Sequence, residues 1–190
     1  MDAGLAAVLG ATVGAVGTGG AAAISALMGR SQTRLQVQAE HDRILRDARR
    51  IAYAKLAEAL SRSMKAMQQC EFSIRTYKVT PETRRQELRD EVDAESAEAE
   101  MLYQALPPHM ALVSIEGPVE ISLAAAEAHK SLSQYRLAVV RFRHVLLDGE
   151  SFDSLMVESE RRREIAIRKQ SDFVFAASRI LSGAWVRSVS

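Results

Sequence analysis

Two hydrophobic rhythms divide this chain. From Ala3 to Met28 small and apolar residues follow one another with no charged side chain, and Arg30 then opens a strongly basic stretch. Beyond it, apolar positions recur in alternating steps of four and three, the spacing of a helix face packed in a bundle or coiled coil. The clearest series is Ile121, Ala125, Ala128, Leu132, Tyr135, Val139, Phe142 and Leu146. A second is Leu88, Val92, Glu95, Ala99, Leu102 and Leu106, with Glu95 as its one charged member. A third runs through Met156, Ser159, Arg163, Ala166, Gln170, Phe173, Ala177 and Ile180, interrupted by Arg163 and Gln170. Ala52, Leu56, Leu60, Met64 and Met67 make a fourth.

Turn chemistry cuts the body between these series. Thr80 is an N-cap residue type with Pro81 at the first helical position, Pro107-Pro108 stops the second stripe, and Gly117-Pro118 precedes the third. Gly149 and Gly183 stand where C-caps belong. The pattern predicts helices over residues 31–77, 80–106, 118–148 and 152–182, with 107–117 as a loop. The expected fold class is all-α: an N-terminal transmembrane helix over residues 1–30, then a long stalk helix and an antiparallel helical bundle over residues 31–190. Few aromatic residues and an abundance of Ala, Leu, Glu, Arg and Gln agree with helix.

At a rise of 1.5 Å per residue, the uncharged stretch reaches about 39 Å, more than the ~30 Å hydrocarbon core of a bilayer. Its many Ala and Gly residues make it only moderately apolar. A secretory signal is a competing reading, but it needs a basic leading region and a shorter core. A Gly/Ala-rich tail is another. Gly17-Thr18-Gly19-Gly20-Ala21-Ala22 matches a G-x-G-x-x-A fingerprint in letters, yet the βαβ unit that gives the fingerprint its chemistry does not follow. Arg30, Arg34, Arg43, Arg46, Arg49 and Arg50 all lie on the C-terminal side of the stretch. By the positive-inside rule the N-terminus is then external and the body cytoplasmic, at the plasma (inner) membrane. Ala6, Gly10, Gly14, Thr18, Ala22 and Ala26 form a small-residue ladder that permits close helix pairing.

Charge refines the pairing of the helices. Residues 30–78 carry eleven Lys and Arg against five Asp and Glu, and residues 79–106 carry three against eight. A basic helix followed by an acidic one attracts along its length, though exposed pairs contribute only a few tenths of a kcal/mol each. The formal net charge of +1 gives no general field for nucleic acid. The first body helix would be about 70 Å long against about 40 to 45 Å for the others, so its early turns outrun the bundle. There Val37, His41, Ile44, Ala48 and Ile51 make a separate apolar stripe, which suggests a homodimer or another protein partner through the stalk. Packing of that stripe on the 107–117 loop is the alternative.

Chemistry is harder to find. His41, His109, His129 and His144 stand in no metal-binding spacing, and the lone Cys70 has no catalytic or redox signature around it. Arg161-Arg162-Arg163 is interleaved with Glu158, Glu160 and Glu164, which reads as a salt-bridged helix surface. Glu95 and Arg163 occupy seam positions at similar heights on helices expected to run parallel, so they are candidates for a buried pair that fixes register. No catalytic, cofactor-binding or metal-binding residue is expected, and no cofactor or small-molecule substrate is evident.

The segment Arg46-Asp47-Ala48-Arg49-Arg50-Ile51-Ala52-Tyr53, after a short Gly/Ala-rich span and ahead of Gly117-Pro118, resembles a set of small actinobacterial-type membrane proteins. Those proteins have one N-terminal span, an Arg-Arg-x-x-Tyr segment and a helical body. The resemblance implies the same layout and no assigned activity; Leu56 stands where that pattern has Phe. The reading that follows is a membrane-anchored interaction or scaffold protein without catalytic activity. Its rivals are a metal-binding or enzymatic bundle, and a phage- or plasmid-type membrane effector that acts through its span.

Overall fold

The computed structural model describes the backbone of residues 3–148 and 152–182 and the side chains of residues 36–144 and 152–182. Among the described residues there are five helices and no strand: α1 (Ala3–Val79), α2 (Glu82–Gln104), α3 (Leu106–Glu116), α4 (Val119–Asp148) and α5 (Phe152–Leu181). The chain divides into two units, Met1–Leu45 and Arg46–Ser190. In the first, Val37 and Ile44 are 64% and 59% exposed. Among the described residues no helix is long and apolar enough to cross a membrane. The side chains of residues 1–35, where the sequence reading puts its anchor, lie outside the described residues, as do the side chain of Leu146 and the capping positions Gly149 and Gly183.

In the second unit the chain runs up, down, up and down. At the lower end the Arg49 Nε donates to the Glu116 carbonyl at 2.7 Å, which brings the end of α3 to the lower part of α1. At the upper end Lys78 pairs with Asp153 at 2.9 Å and lies over the Phe152 ring. Between them Arg75 meets Glu160, so α5 descends beside α1. The α4 arginines reach α2, Arg143 to Asp93 and Arg136 to Glu100, and their order makes that pair antiparallel. Gln134 with Arg162 and Phe142 with Phe152 set α5 antiparallel to α4.

The predicted seams form the core. Ala52, Leu56, Leu60, Met64 and Met67 are all buried, and the series continues upward through Cys70, Glu71 and Ile74. On α4 every described member from Ile121 to Phe142 is buried. Val92, Ala99 and Leu106 are buried on the second seam, and Ser159, Ala166, Phe173 and Ala177 on α5. Burying a Leu, Ile or Phe side chain contributes about 1.5–3 kcal/mol, so these seams supply most of the driving force.

Two local expectations need correction, the 107–117 loop and the Thr80–Pro81 cap. Residues 107–117 are not a loop, because α3 occupies Leu106–Glu116 with Pro107 and Pro108 in its first turn. Proline lacks only an N–H that has no partner there, so it breaks the α2 ladder yet starts the next helix well. Thr80 does not cap α2; its hydroxyl donates back to the Thr76 carbonyl at 2.8 Å and closes α1. Pro81 stands at the N-cap of α2, with no side-chain cap bond. Gly117 is extended (φ −98°, ψ 158°) between α3 and α4. A Cβ there would run into Ile121, lie 2.7 Å from the Val113 carbonyl oxygen and 3.0 Å from the Tyr53 hydroxyl.

Candidate functional site

The most unusual group in the bundle is Glu71, which the seam rhythm carries into the core of α1 with 1% of its side chain exposed. An ionised carboxylate survives burial only if its lone pairs are filled. They are. Its Oε1 accepts from Arg75 Nη2 at 2.5 Å and from Ser159 Oγ at 2.7 Å, and its Oε2 accepts from Tyr135 Oη at 2.6 Å and Arg163 Nη1 at 3.1 Å. Donors thus arrive from α1, α4 and α5. Burial alone pushes the Glu71 carboxyl up, but the bonds from Tyr135, Ser159 and Arg75 and the Arg163 charge outweigh it and hold the group below its ordinary value. The same surroundings push the Tyr135 hydroxyl well above the usual phenol range, burial first, then its hydrogen bond to Glu71 and the Glu71 charge.

The cluster is saturated, and that limits its chemistry. Tyr135 spends its proton on Glu71, Ser159 has Glu71 at 2.7 Å and the Met156 carbonyl at 2.9 Å as acceptors for its one proton, and Arg75 is held from its other side by Glu160 at 2.8 Å. A general base needs a free lone pair facing a substrate, and all four of these donors occupy the carboxylate. Arg75 and Arg163 retain 27% and 30% side-chain exposure and Glu160 beyond Arg75 is 41% exposed, so the network meets water through these outer charged groups and not through Glu71 itself.

Arg163 therefore pairs with Glu71 and not with Glu95. Helices α1 and α5 lie side by side, as the Arg75–Glu160 and Lys78–Asp153 pairs establish, so the acid on α1 is the one within reach. Glu95 is half-buried, and its buried Oε2 has no hydrogen-bond partner among the described residues. Cys70 lies under the same influence: burial, then the Glu95 charge, push its thiol up to about 12. With 1% exposure it is a core side chain.

His129 and Arg136 pack between α4 and α2. His129 stacks on Tyr103 with ring centroids 5.3 Å apart, and burial lowers its pKa. Arg136 lies over the same Tyr103 ring at 4.7 Å and pairs with Glu100 at 2.6 Å. Arg162 bonds Glu158 one turn back at 2.6 Å, as the interleaved charges suggest, and also Gln134 of α4 at 2.8 Å. Among the described residues no three His, Cys, Asp or Glu side chains come together as metal ligands.

Sequence reasoning ended the α1 stripe at Met67 and so missed Glu71. Its signal was present: four residues beyond Met67 and three before Ile74, Glu71 keeps the seam's rhythm. A second feature escaped it altogether, an open groove of about 600 Å³ between α1 and α5, running from Arg46 and Arg50 to Ala57 and Phe173. Comparison of the chain with protein-family models, with curated proteins and with solved structures finds no match.

Proposed function

We propose that this chain is a non-catalytic helical interaction module, held at a bilayer by residues 3–28 and joined to a second copy through the apolar face of α1. The observation that carries the reading is the exposure of that face. Val37 and Ile44, seven residues apart, are 64% and 59% exposed in the first unit, and Ile51, seven further on, is 56% exposed in the second. A seven-residue apolar spacing on one long helix suits a two-stranded coiled coil, in which each residue seats among four of the partner. The alternative, packing of that stripe on residues 107–117, would involve the helix α3 rather than a loop.

The anchor part rests on the uncharged stretch from Ala3 to Met28 and on the arginines that follow it, which by the positive-inside rule put the bundle in the cytoplasm. The scaffold part rests on the saturated Glu71 cluster, which orients helices and leaves no lone pair for chemistry. Disulfide trapping tests the interaction. In a Cys70→Ala background, Ile44→Cys is expected to give a covalent dimer on mild oxidation in the membrane, while Asp42→Cys, on the opposite helix face, stays monomeric. Equal trapping at both positions, or none at either, refutes the interface.

A further inference from the structure

The groove between α1 and α5 belongs wholly to the second unit and is independent of the anchor and of the α1 face. Its volume of about 600 Å³ falls in the range of about 300–1,000 Å³ that holds small molecules. It spans residues 46–57 of α1, a length of about 16 Å. Because α5 descends beside α1, the lower end holds Arg46, Arg50 and Ser182, and the upper end holds Ala54, Ala57, Phe173 and Ala177.

That gradient runs along the groove rather than across it. The lower end is basic: Arg46 and Arg50 make no hydrogen bond or ion pair among the described residues, and with Asp47 beside them the groove's own charged side chains sum to one positive charge. The upper end is hydrocarbon, lined by Ala54, Ala57, Val174 and Ala177 over the buried Phe173. An amphipathic helix would need polar and apolar faces divided along its length. A molecule with an anionic head and an apolar tail matches the gradient end to end, because guanidinium groups favour carboxylate oxygens and the tail removes apolar surface from water.

We infer that this groove is a binding site for a single-chain anionic amphiphile of the fatty-carboxylate class, its carboxylate at Arg46 and Arg50 and its chain lying towards Ala57 and Phe173. The reading goes beyond the interaction role: it gives the bundle a lipid-derived ligand that the sequence alone did not suggest.

The test is photolabelling of the full chain, held in an amphipathic polymer, with lauric acid carrying a terminal diazirine. The expected result is saturable label on residues 54–57 and 173–177, competed by laurate and poorly by methyl laurate. Ala54→Trp, which fills the groove from an exposed position, should lower labelling at least tenfold. Arg46→Gln with Arg50→Gln should lower it several-fold without changing helicity, and this pair decides the matter if Ala54→Trp proves misfolded. Label that never saturates, is spread over other apolar surface, or ignores both variants overturns the site. So does a wild-type chain that takes no label, whether removal of Trp185 then restores labelling, meaning the chain's own end fills the groove, or Ala54→Trp breaks a dimer, meaning a second copy does.

Discussion

Replacing Glu71 with Gln changes one atom in the centre of the bundle and is expected to destabilise it by about 3 kcal/mol. Each oxygen of the native carboxylate accepts two bonds, and the cluster's donors come from three helices. Gln keeps one accepting oxygen and turns an NH2 group towards donors. If the oxygen stays with Arg75 and Ser159, the amide faces Tyr135, whose hydroxyl can rotate, and Arg163, which cannot become an acceptor. A hydrogen bond to a charged group contributes about 1.5–3 kcal/mol, and orphaning one member of a buried pair costs about 3–5 kcal/mol. Arg75 and Arg163 are 27% and 30% exposed and can turn partly to water, which puts the cost at the lower end of that range. Urea unfolding followed by far-ultraviolet circular dichroism measures it. The pH dependence has a definite sign. The folded carboxyl titrates below the unfolded one, whose value is about 4.3, so the stabilisation is complete above that pH and disappears as the pH falls through the lower folded value. The gap between wild type and Glu71→Gln should therefore be constant from pH 7 to about 5 and shrink towards pH 3. A cost below about 1 kcal/mol, or a gap that does not change on acidification, refutes the claim that an ionised Glu71 is held by these donors.

Other perturbations follow from particular contacts. Gly117→Ala puts a methyl group against Ile121 and the Val113 carbonyl and should cost about 1–3 kcal/mol by urea unfolding, since the helix junction must shift to admit it. Cys70, with 1% exposure and a thiol pushed up to about 12, should react with a thiol reagent at pH 8 only as fast as the bundle opens; labelling as fast as in the urea-unfolded chain contradicts its burial. Glu95→Gln and Arg163→Met should add within about 0.5 kcal/mol in a double-mutant cycle, whereas Glu71→Gln and Arg163→Met should couple by more than that. Coupling between Glu95 and Arg163 would overturn the pairing of Arg163 with Glu71 of α1.

The legible part of the fold was the part governed by periodicity. The four-three rhythm of α4 placed Ile121 through Phe142 in the core, and four stripes separated by short breaks were enough for an all-α bundle. What escaped was set by tertiary proximity or by local alternatives of similar strength. Pro107-Pro108 ends one helix and begins another with equal ease, so the sequence showed the break and hid α3. Thr80 can cap the helix ahead of it or bond back to Thr76, and only the structure shows the second. Arg163 had two acids at comparable heights, Glu95 and Glu71, and the neighbouring position of α1 decided between them. The groove was beyond reach because it depends on how far two alanine-bearing helices stand apart, and no local pattern encodes that distance.

The central claim is self-association through the apolar face of α1. Sedimentation equilibrium of the full chain in density-matched detergent tests it most directly. The account predicts a protein mass of twice 20.9 kDa for the wild type, and a return to the single-chain mass in a Val37→Glu, Ile44→Glu variant whose helical dichroism is unchanged. A wild type that sediments as a single chain, or a dimer that keeps its mass in that variant, contradicts it.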